Sequence, residues 1–173
     1  IPELVDAGID SFKIEGRMKT ALYVATVART YRKAIDDYKK DPALYRKNME
    51  WYKEEIGKCT YREFTTGFYF GKPTTDSQIY DSNTYVKNYT YLGTVEEVRE
   101  DGCCRIEQKN KFSVGEQIEI MKPDGRNVLV TVKGITDEDG NAMESAPHPK
   151  QVLWVDLGSE VSPYDILRRS EME

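Results

Sequence analysis

The sequence has few of the residues and motifs that usually identify an enzyme. Histidine occurs once in 173 residues, as His148. The motifs HExxH, GxSxG, GxxxxGK and GxGxxG do not occur. His148 lies between two prolines in the segment APHPK, which is typical of a turn. The sequence alone therefore indicates no complete hydrolase site, and the catalytic residues stay unknown at this level.

Cysteine is also scarce. The three cysteines are Cys59, Cys103 and Cys104, an odd number with two adjacent residues. Such a set is a poor disulfide framework and lacks the spacing of a metal site, so no metal site is predicted. A reducing, cytoplasmic location fits this usage. Cys59 has two interpretations, a reactive thiol or a buried residue, and free cysteines are more often buried.

Long apolar runs and a secretory leader are absent from the sequence. No run approaches the roughly 20 apolar residues that span a bilayer, so no membrane partner is expected. The first residue is isoleucine, and the opening segment IPELVDAGIDSFKIEGR has the pattern of the middle of a fold. We therefore expect a fragment whose N-terminal part is missing.

Charge is unevenly distributed along the chain. Residues 1–58 carry 12 Lys and Arg against 10 Asp and Glu, whereas the remainder carries 13 against 20. The formal net charge of the whole is −5. The acidic remainder is a poor binder of a phosphate backbone, since that binding depends on cations. The first part could bind phosphate locally, through a few well-placed cations.

Residues 1–58 alternate between helix and strand patterns. Residues 2–7 predict the end of a helix, and the alternating segment DSFKIEG predicts a short strand. From Thr20 the apolar spacing becomes helical, and Asp41 with Pro42 indicates the start of a further helix that ends near Gly57. The stripe of the long helix comprises Ala21, Val24, Ala28, Tyr31, Ile35 and Tyr38, and its other surfaces carry Lys19, Arg29, Arg32, Lys33 and Lys39.

The rest of the chain divides into an aromatic segment and a β-rich segment. Residues 59–87 predict a linker; its segment REFTTGFYFG fits either a packed seam between domains or a binding surface. Residues 88–173 contain six short β-rich runs separated by turn signals such as Asp101-Gly102 and Asp139-Gly140. Six short strands at this spacing favour a small, closed or nearly closed barrel. The fold class is therefore α+β.

The densest cluster of charge lies in SFKIEGRMK, where the predicted strand passes into the long helix. Strand ends in α/β sheets face the ligand side, and helix N-termini attract anions. The candidate anion- or substrate-binding residues are Lys13, Glu15, Arg17 and Lys19. In the alternative interpretation, the first three form a buried ion-pair network and Arg17 only holds the loop in place.

Several motifs together resemble a known family. The segments IDSFKIEGRMKTALYVATVARTYRKAID, REFTTGFYFGKP, QKNKFSVGEQIEI, PDGRN and APHPKQ occur in this order. They resemble the C-terminal part of the collagenase-like peptidases of family U32, over nearly the whole chain. The resemblance implies a remnant strand and closing helices of a TIM-like barrel in residues 1–58, and a β-barrel similar to the second domain of translation elongation factors in residues 88–173.

The same resemblance implies a function, with alternatives. Its subgroup is similar to prephenate-dependent proteins that make 5-hydroxyuridine at the tRNA wobble position, so tRNA and the missing N-terminal barrel are the implied partners. Several relatives carry an iron–sulfur cluster on four cysteines, which would lie in the missing part; no cofactor is expected on this fragment. One alternative is a protease or collagenase of unassigned mechanism, and another is a non-enzymatic RNA- or protein-binding β-barrel. The resemblance implies that the full-length protein is an enzyme, acting in RNA hydroxylation or as a peptidase, whereas we expect this fragment alone to be inactive.

Overall fold

The computed structural model describes residues 1–60, 66–73 and 87–171. Four helices come first: α1 (Pro2–Asp6), α2 (Ala21–Lys40), α3 (Pro42–Lys47) and α4 (Met49–Ile56). Eight strands follow: β1 (Tyr89–Val98), β2 (Cys104–Glu107), β3 (Gln117–Met121), β4 (Asn127–Thr131), β5 (Gly134–Thr136), β6 (Ala142–Met143), β7 (Val152–Asp156) and β8 (Ile166–Ser170). None of the described helices is long and apolar enough to cross a membrane.

Side chains in the sequence set the limits of the helices. Thr20 caps α2, and its Oγ1 accepts a hydrogen bond from the Tyr23 backbone N at 3.3 Å. Asp41 ends α2 and begins α3, because its Oδ1 accepts from the Ala43 N at 2.8 Å and Pro42 occupies the first turn. The predicted single helix up to Gly57 is divided in two at Asn48.

The β-rich segment forms one eight-stranded antiparallel sheet, curved into a half-barrel, in the order β4-β3-β8-β1-β2-β7-β5-β6. Strand β1 is shared by both halves of the sheet, since its first part pairs with β8 and its second part with β2. Bulges between Tyr91 and Gly93 and between Val95 and Glu97 bend it there. All six β-rich runs contain a strand, and the run NVLVTVKGI divides into β4 and β5.

The sheet encloses one apolar core. Alternate residues of β3, Ile118 and Ile120, point into this core. Burial of each large aliphatic side chain contributes about 1.5–3 kcal/mol, so this core is the main source of stability for the barrel. Its largest fully buried apolar side chains are Phe112, Leu92, Ile106, Ile118, Ile120, Ile135, Leu153 and Leu167.

Two expectations for the earlier part of the chain differ from the structure. No strand is assigned to residues 9–16 of the described chain. A strand needs a hydrogen-bonding neighbour, and no described segment pairs with this one. The remnant of a TIM-like barrel therefore stays a prediction. In the linker, Phe68, Tyr69 and Phe70 are exposed, which favours a surface over a packed seam for the described part of that segment.

The long helix buries a different face from the one that its apolar spacing indicates. The buried residues of α2 include Leu22, Thr26, Thr30 and the predicted surface cation Arg29. Val24 and Tyr31 of the apolar stripe are exposed. This face of α2 is buried because its polar side chains make hydrogen bonds to the sheet and to α4.

A buried charge cluster joins the helices to the sheet. Glu55 of α4 is 1% exposed and lies between two guanidinium groups, those of Arg29 and Arg168. Its Oε1 accepts from Arg168 Nη2 at 2.5 Å and also from Arg29, and its Oε2 accepts from Asn127 Nδ2 at 2.7 Å. Arg168 also donates from Nε to Glu119 Oε1 at 2.6 Å. The charge cluster, defined as these five residues, therefore links α2, α4, β3, β4 and β8.

Acid should weaken this junction. Burial by itself raises the pKa of Glu55, but the charges of Arg168 and Arg29 outweigh it and hold that pKa below its ordinary value of 4.5. Burial likewise opposes ionisation of Asp37, while hydrogen bonds from Tyr52, Asn48 and Lys33 hold its pKa below 3.8. Both carboxylates thus contribute stability above pH 4.5 that is lost as the pH falls through their lowered values.

Urea unfolding measured between pH 7 and pH 2.5 checks this expectation. The free energy of unfolding should fall steeply below about pH 4. The Glu55→Gln variant, in which residue 55 no longer titrates, should show a shallower decline. An equal decline in the variant and the parent would contradict the assignment to Glu55.

Candidate functional site

The charged segment before α2 lies on the surface. Lys13, Glu15 and Arg17 are exposed, and Lys19 is half-buried. The Arg17 backbone N donates to Glu15 Oε1 at 2.9 Å, and the Lys19 N donates to the Gly16 carbonyl at 2.9 Å. The buried-network alternative therefore does not describe these residues in this structure. Whether they bind an anion stays a prediction.

The start of α2 is electrostatically positive. The helix has 20 residues, and its first turn contains no acidic residue that would offset the helix dipole. Lys19 directly precedes the capping Thr20, and its Nζ lies 5.1 Å from the centre of the Tyr23 ring. A cation at this end destabilises the helix slightly, whereas a bound anion would turn the same charge into binding energy.

The sheet adds a second wall beside this helix end. A groove of about 550 Å³ runs between the first turn of α2 and strand β1. Thr20 and Leu22 lie on the helix side, whereas Lys109 and Asn110 come from the loop after β2. The other lining residues are Ala21, Thr60, Lys87, Tyr89 and Tyr91. We call this cleft the α2 groove.

The α2 groove offers cations and an amide side chain to a ligand. Lys109 and Lys87 are exposed, and an ion pair with Glu107 raises the pKa of Lys109, so that it stays charged at neutral pH. Asn110 Nδ2 donates to the Tyr91 carbonyl at 2.7 Å, which holds the loop against β1. Such a combination suits a phosphorylated ligand.

Sequence reasoning identified only a residue beside the groove. Lys19, which directly precedes the lining residue Thr20, was predicted from its position before the helix. Lys87, Lys109 and Asn110 were not predicted, because only the folded sheet places them next to α2. The basic composition of the QKNK segment is their single local signal.

The described residues contain no evident nucleophile. Burial raises the pKa of Cys59 to about 11 and that of Cys104 to about 12, so both thiols are protonated at neutral pH. The Cys59 Sγ donates to the Ile56 carbonyl at 3.2 Å. These observations confirm the buried interpretation of Cys59. His148 is exposed in a turn before β7, as its sequence context indicates.

The cysteines also do not fit an iron–sulfur cluster. A cluster of this kind is usually held by four thiolates, and the sequence has three cysteines. Cys59 follows α4, whereas Cys103 and Cys104 lie at the start of β2. Within residues 1–60, 66–73 and 87–171, no group of three His, Cys, Asp or Glu side chains is placed to hold a metal ion.

Two family models match the chain. Residues 1–79 match the model described as peptidase family U32, and residues 87–168 match the peptidase family U32 C-terminal domain. The two matches follow one another and leave only short segments uncovered.

The curated relatives described here are named for tRNA hydroxylation or as a collagenase. The "tRNA hydroxylation protein P1" of Bacillus subtilis is 37% identical over 172 residues, which are 99% of this chain and 40% of that protein. The "tRNA hydroxylation protein P" of Escherichia coli is 30% identical over 98% of this chain and 37% of its own length. A "Collagenase" of Porphyromonas gingivalis is 26% identical over 98% of this chain and 46% of its own length.

A solved structure resembles part of the chain. It is the C-terminal domain of a protein of Geobacillus thermoleovorans assigned to the U32 peptidases, with 29% identity and a TM-score of 0.43, and the match covers 47% of this chain and 92% of that one. The present chain spans 46% or less of the length of the curated relatives described above. On the strength of the two consecutive family matches, the chain belongs to peptidase family U32.

Proposed function

We propose that the protein containing this chain acts in tRNA modification in the cytoplasm, and that it forms 5-hydroxyuridine at the wobble position. The observation that carries the proposal is the 37% identity over 99% of the chain to a protein named for tRNA hydroxylation. In this proposal the chain supplies contacts to tRNA. The reacting groups, including any iron–sulfur cluster, would lie in the part that the relatives have beyond the matched region.

The α2 groove is the proposed tRNA contact. Lys87 and Lys109, which line the groove, and Lys19, which directly precedes the lining residue Thr20, would each neutralise a phosphate. The dipole of α2 adds to the same field. The exposed Lys13 and Arg17 precede α2, so they would extend this positive surface along the backbone of the RNA. Glu15 would hold the segment through its hydrogen bond to the Arg17 backbone.

Deletion of the gene tests the proposed activity. Total tRNA from the deletion strain and its parent would be digested to nucleosides and analysed by mass spectrometry. We expect 5-hydroxyuridine-type nucleosides to disappear and to return when the gene is restored. Unchanged levels in a strain that lacks any paralogue would exclude this activity.

Replacement of two lysines tests the proposed contact. The Lys19→Gln and Lys109→Gln double variant should bind tRNA about fivefold to tenfold more weakly at low salt. The plot of log affinity against log salt concentration should become less steep by about two, one for each lost phosphate contact.

Filter binding over a salt series gives both quantities. A matched control is Lys40→Gln, which removes an exposed lysine at the opposite end of α2 and should leave both quantities unchanged. If the control weakens binding as much as the double variant, the contact is unspecific and the α2 groove is not the site.

Proteolysis is the second candidate, and the name of the Porphyromonas relative supports it. Gelatin and peptide hydrolysis by the purified full-length protein would test it, with a Lys13, Glu15 and Arg17 triple variant as the control. Hydrolysis that this variant retains in full would point to a contaminating protease. Hydrolysis that is lost in the triple variant would favour a peptidase.

A further inference from the structure

A short turn between the helices and the sheet exposes three consecutive aromatic rings. Phe68 is 79% exposed, Tyr69 67% and Phe70 82%. Exposing large apolar side chains to water is unfavourable, and a cluster of them on a surface usually marks a binding site. We call residues 66–73 the aromatic turn.

The backbone of the aromatic turn presents the rings rather than burying them. Gly67 and Gly71 flank the three aromatics, with φ angles of 54° and 137° that residues with a side chain rarely adopt. The Tyr69 N donates to the Thr66 carbonyl at 3.1 Å, and the Gly71 N donates to the Phe68 carbonyl at 3.3 Å. Because glycine has no side chain, Gly67 and Gly71 themselves do not shield the ring faces.

The ring arrangement suits stacking on separate planar groups. The rings of Tyr69 and Phe70 lie 5.5 Å apart at 68° to each other, so they do not stack on one another. In this edge-to-face arrangement the two rings keep separate planes. Each can instead receive a planar group on its open face.

The charge of the turn favours an anionic partner. Its sequence TGFYFGKP contains Lys72, which is exposed, and no acidic residue. The part of the chain after residue 58, which includes this turn, is acidic as a whole, with 20 Asp and Glu against 13 Lys and Arg. Exposed rings beside a cation, without carboxylates, are the usual features of a surface that binds unpaired bases and their phosphates.

We propose that the aromatic turn stacks on unpaired bases of tRNA, with Lys72 beside the adjoining phosphate. This inference rests on the proposed function, because it assumes that the protein binds tRNA. It differs from the α2 groove in its chemistry: the groove binds the backbone through charge, whereas the turn binds bases through ring contact. The two sites should therefore respond differently to salt and to the pairing of the RNA.

The test compares the parent protein with a variant in which Phe68, Tyr69 and Phe70 are all replaced by alanine. Each is titrated with an anticodon stem-loop RNA and with a fully paired duplex of the same length. We expect the variant to bind the stem-loop at least about tenfold more weakly, with an unchanged salt slope. Its affinity for the duplex should equal that of the parent. Tyr164→Ala, which removes a ring that is 80% exposed in the turn before β8, is the control and should have no effect.

A second variant provides a direct readout of stacking. In Tyr69→Trp, the added tryptophan fluorescence, taken as the difference from the parent with its native tryptophans, should be quenched by the stem-loop and not by the duplex.

The outcomes separate this inference from the function on which it rests. A parent protein that binds neither RNA would overturn both. A parent that binds the stem-loop, together with an alanine variant of equal affinity and an unquenched tryptophan, would overturn the aromatic turn alone. A variant that loses thermal stability but keeps its RNA affinity would show that the rings cover another part of the protein, which also overturns the inference.

Discussion

Replacing Glu55 with alanine is expected to lower the free energy of unfolding by about 3–5 kcal/mol. The carboxylate of Glu55 is 1% exposed and is shared by Arg29 and Arg168, whose side chains are 5% and 0% exposed. Removing it leaves two guanidinium groups buried without their main partner. The cost of an unpaired buried charge is much larger than the net contribution of an intact pair.

Urea denaturation of the parent and the variant measures this difference. Glu54→Ala is the control, because Glu54 is the preceding residue but its side chain is 71% exposed and pairs with Lys58 on the surface. Its loss should cost less than about 1 kcal/mol. A Glu55→Leu variant that also carries Arg29→Met and Arg168→Met should recover much of the lost stability. Equal effects of the two alanine variants would show that the charge cluster is not buried in solution.

Replacing Asp165 with alanine is expected to cost about 3 kcal/mol or more. Asp165 is fully buried before β8, and its Oδ2 accepts from Lys122 Nζ at 2.6 Å and from the Ser162 N at 2.8 Å. The Lys122 side chain is 9% exposed, and its ammonium group would keep the Glu160 carbonyl, at 2.9 Å, but no carboxylate among the described residues. The variant therefore contains a buried positive charge that has lost its carboxylate partner.

Thermal unfolding measured by circular dichroism checks the expected loss of stability in Asp165→Ala. Asp124→Ala is its control, since Asp124 pairs with Arg126 on the surface, where both side chains are more than half exposed. Adding Lys122→Met to Asp165→Ala should restore part of the stability, because the charge that lost its partner is then gone. A double variant no more stable than Asp165→Ala would contradict this account of the loss.

Local signals in the sequence located most helix ends and strands. Thr20, Asp41 and Pro42 act through hydrogen bonds and backbone geometry within a few residues of themselves, so their effect is the same in any fold. The alternation of apolar residues in β3 likewise predicts a strand with one buried face. The two-residue strand β6 is too short to produce such a pattern.

Other features depend on parts of the chain far apart in sequence. Arginine is a residue type that is usually exposed. Arg29 is buried because it bonds to Glu55 and Asn127, which lie 26 and 98 residues away. The alternation over residues 11–15 predicts a strand, yet a strand also requires a neighbour with which to pair. Lys109 lies near the start of α2 because of the way the sheet folds. No local sequence pattern indicates this position.

The sequence by itself located the long helix, the start of the next helix at Asp41 and Pro42, the β-rich part of the chain and the family of the chain. These depend on short-range hydrogen bonding, on the periodicity of apolar residues and on ordered motifs. Only the tertiary structure decided which face of α2 is buried, which charges form the junction with the sheet and which cations share the α2 groove. The physical reason is that a buried charge is stable only beside its partner, and that partner is supplied by the fold and not by the neighbouring sequence.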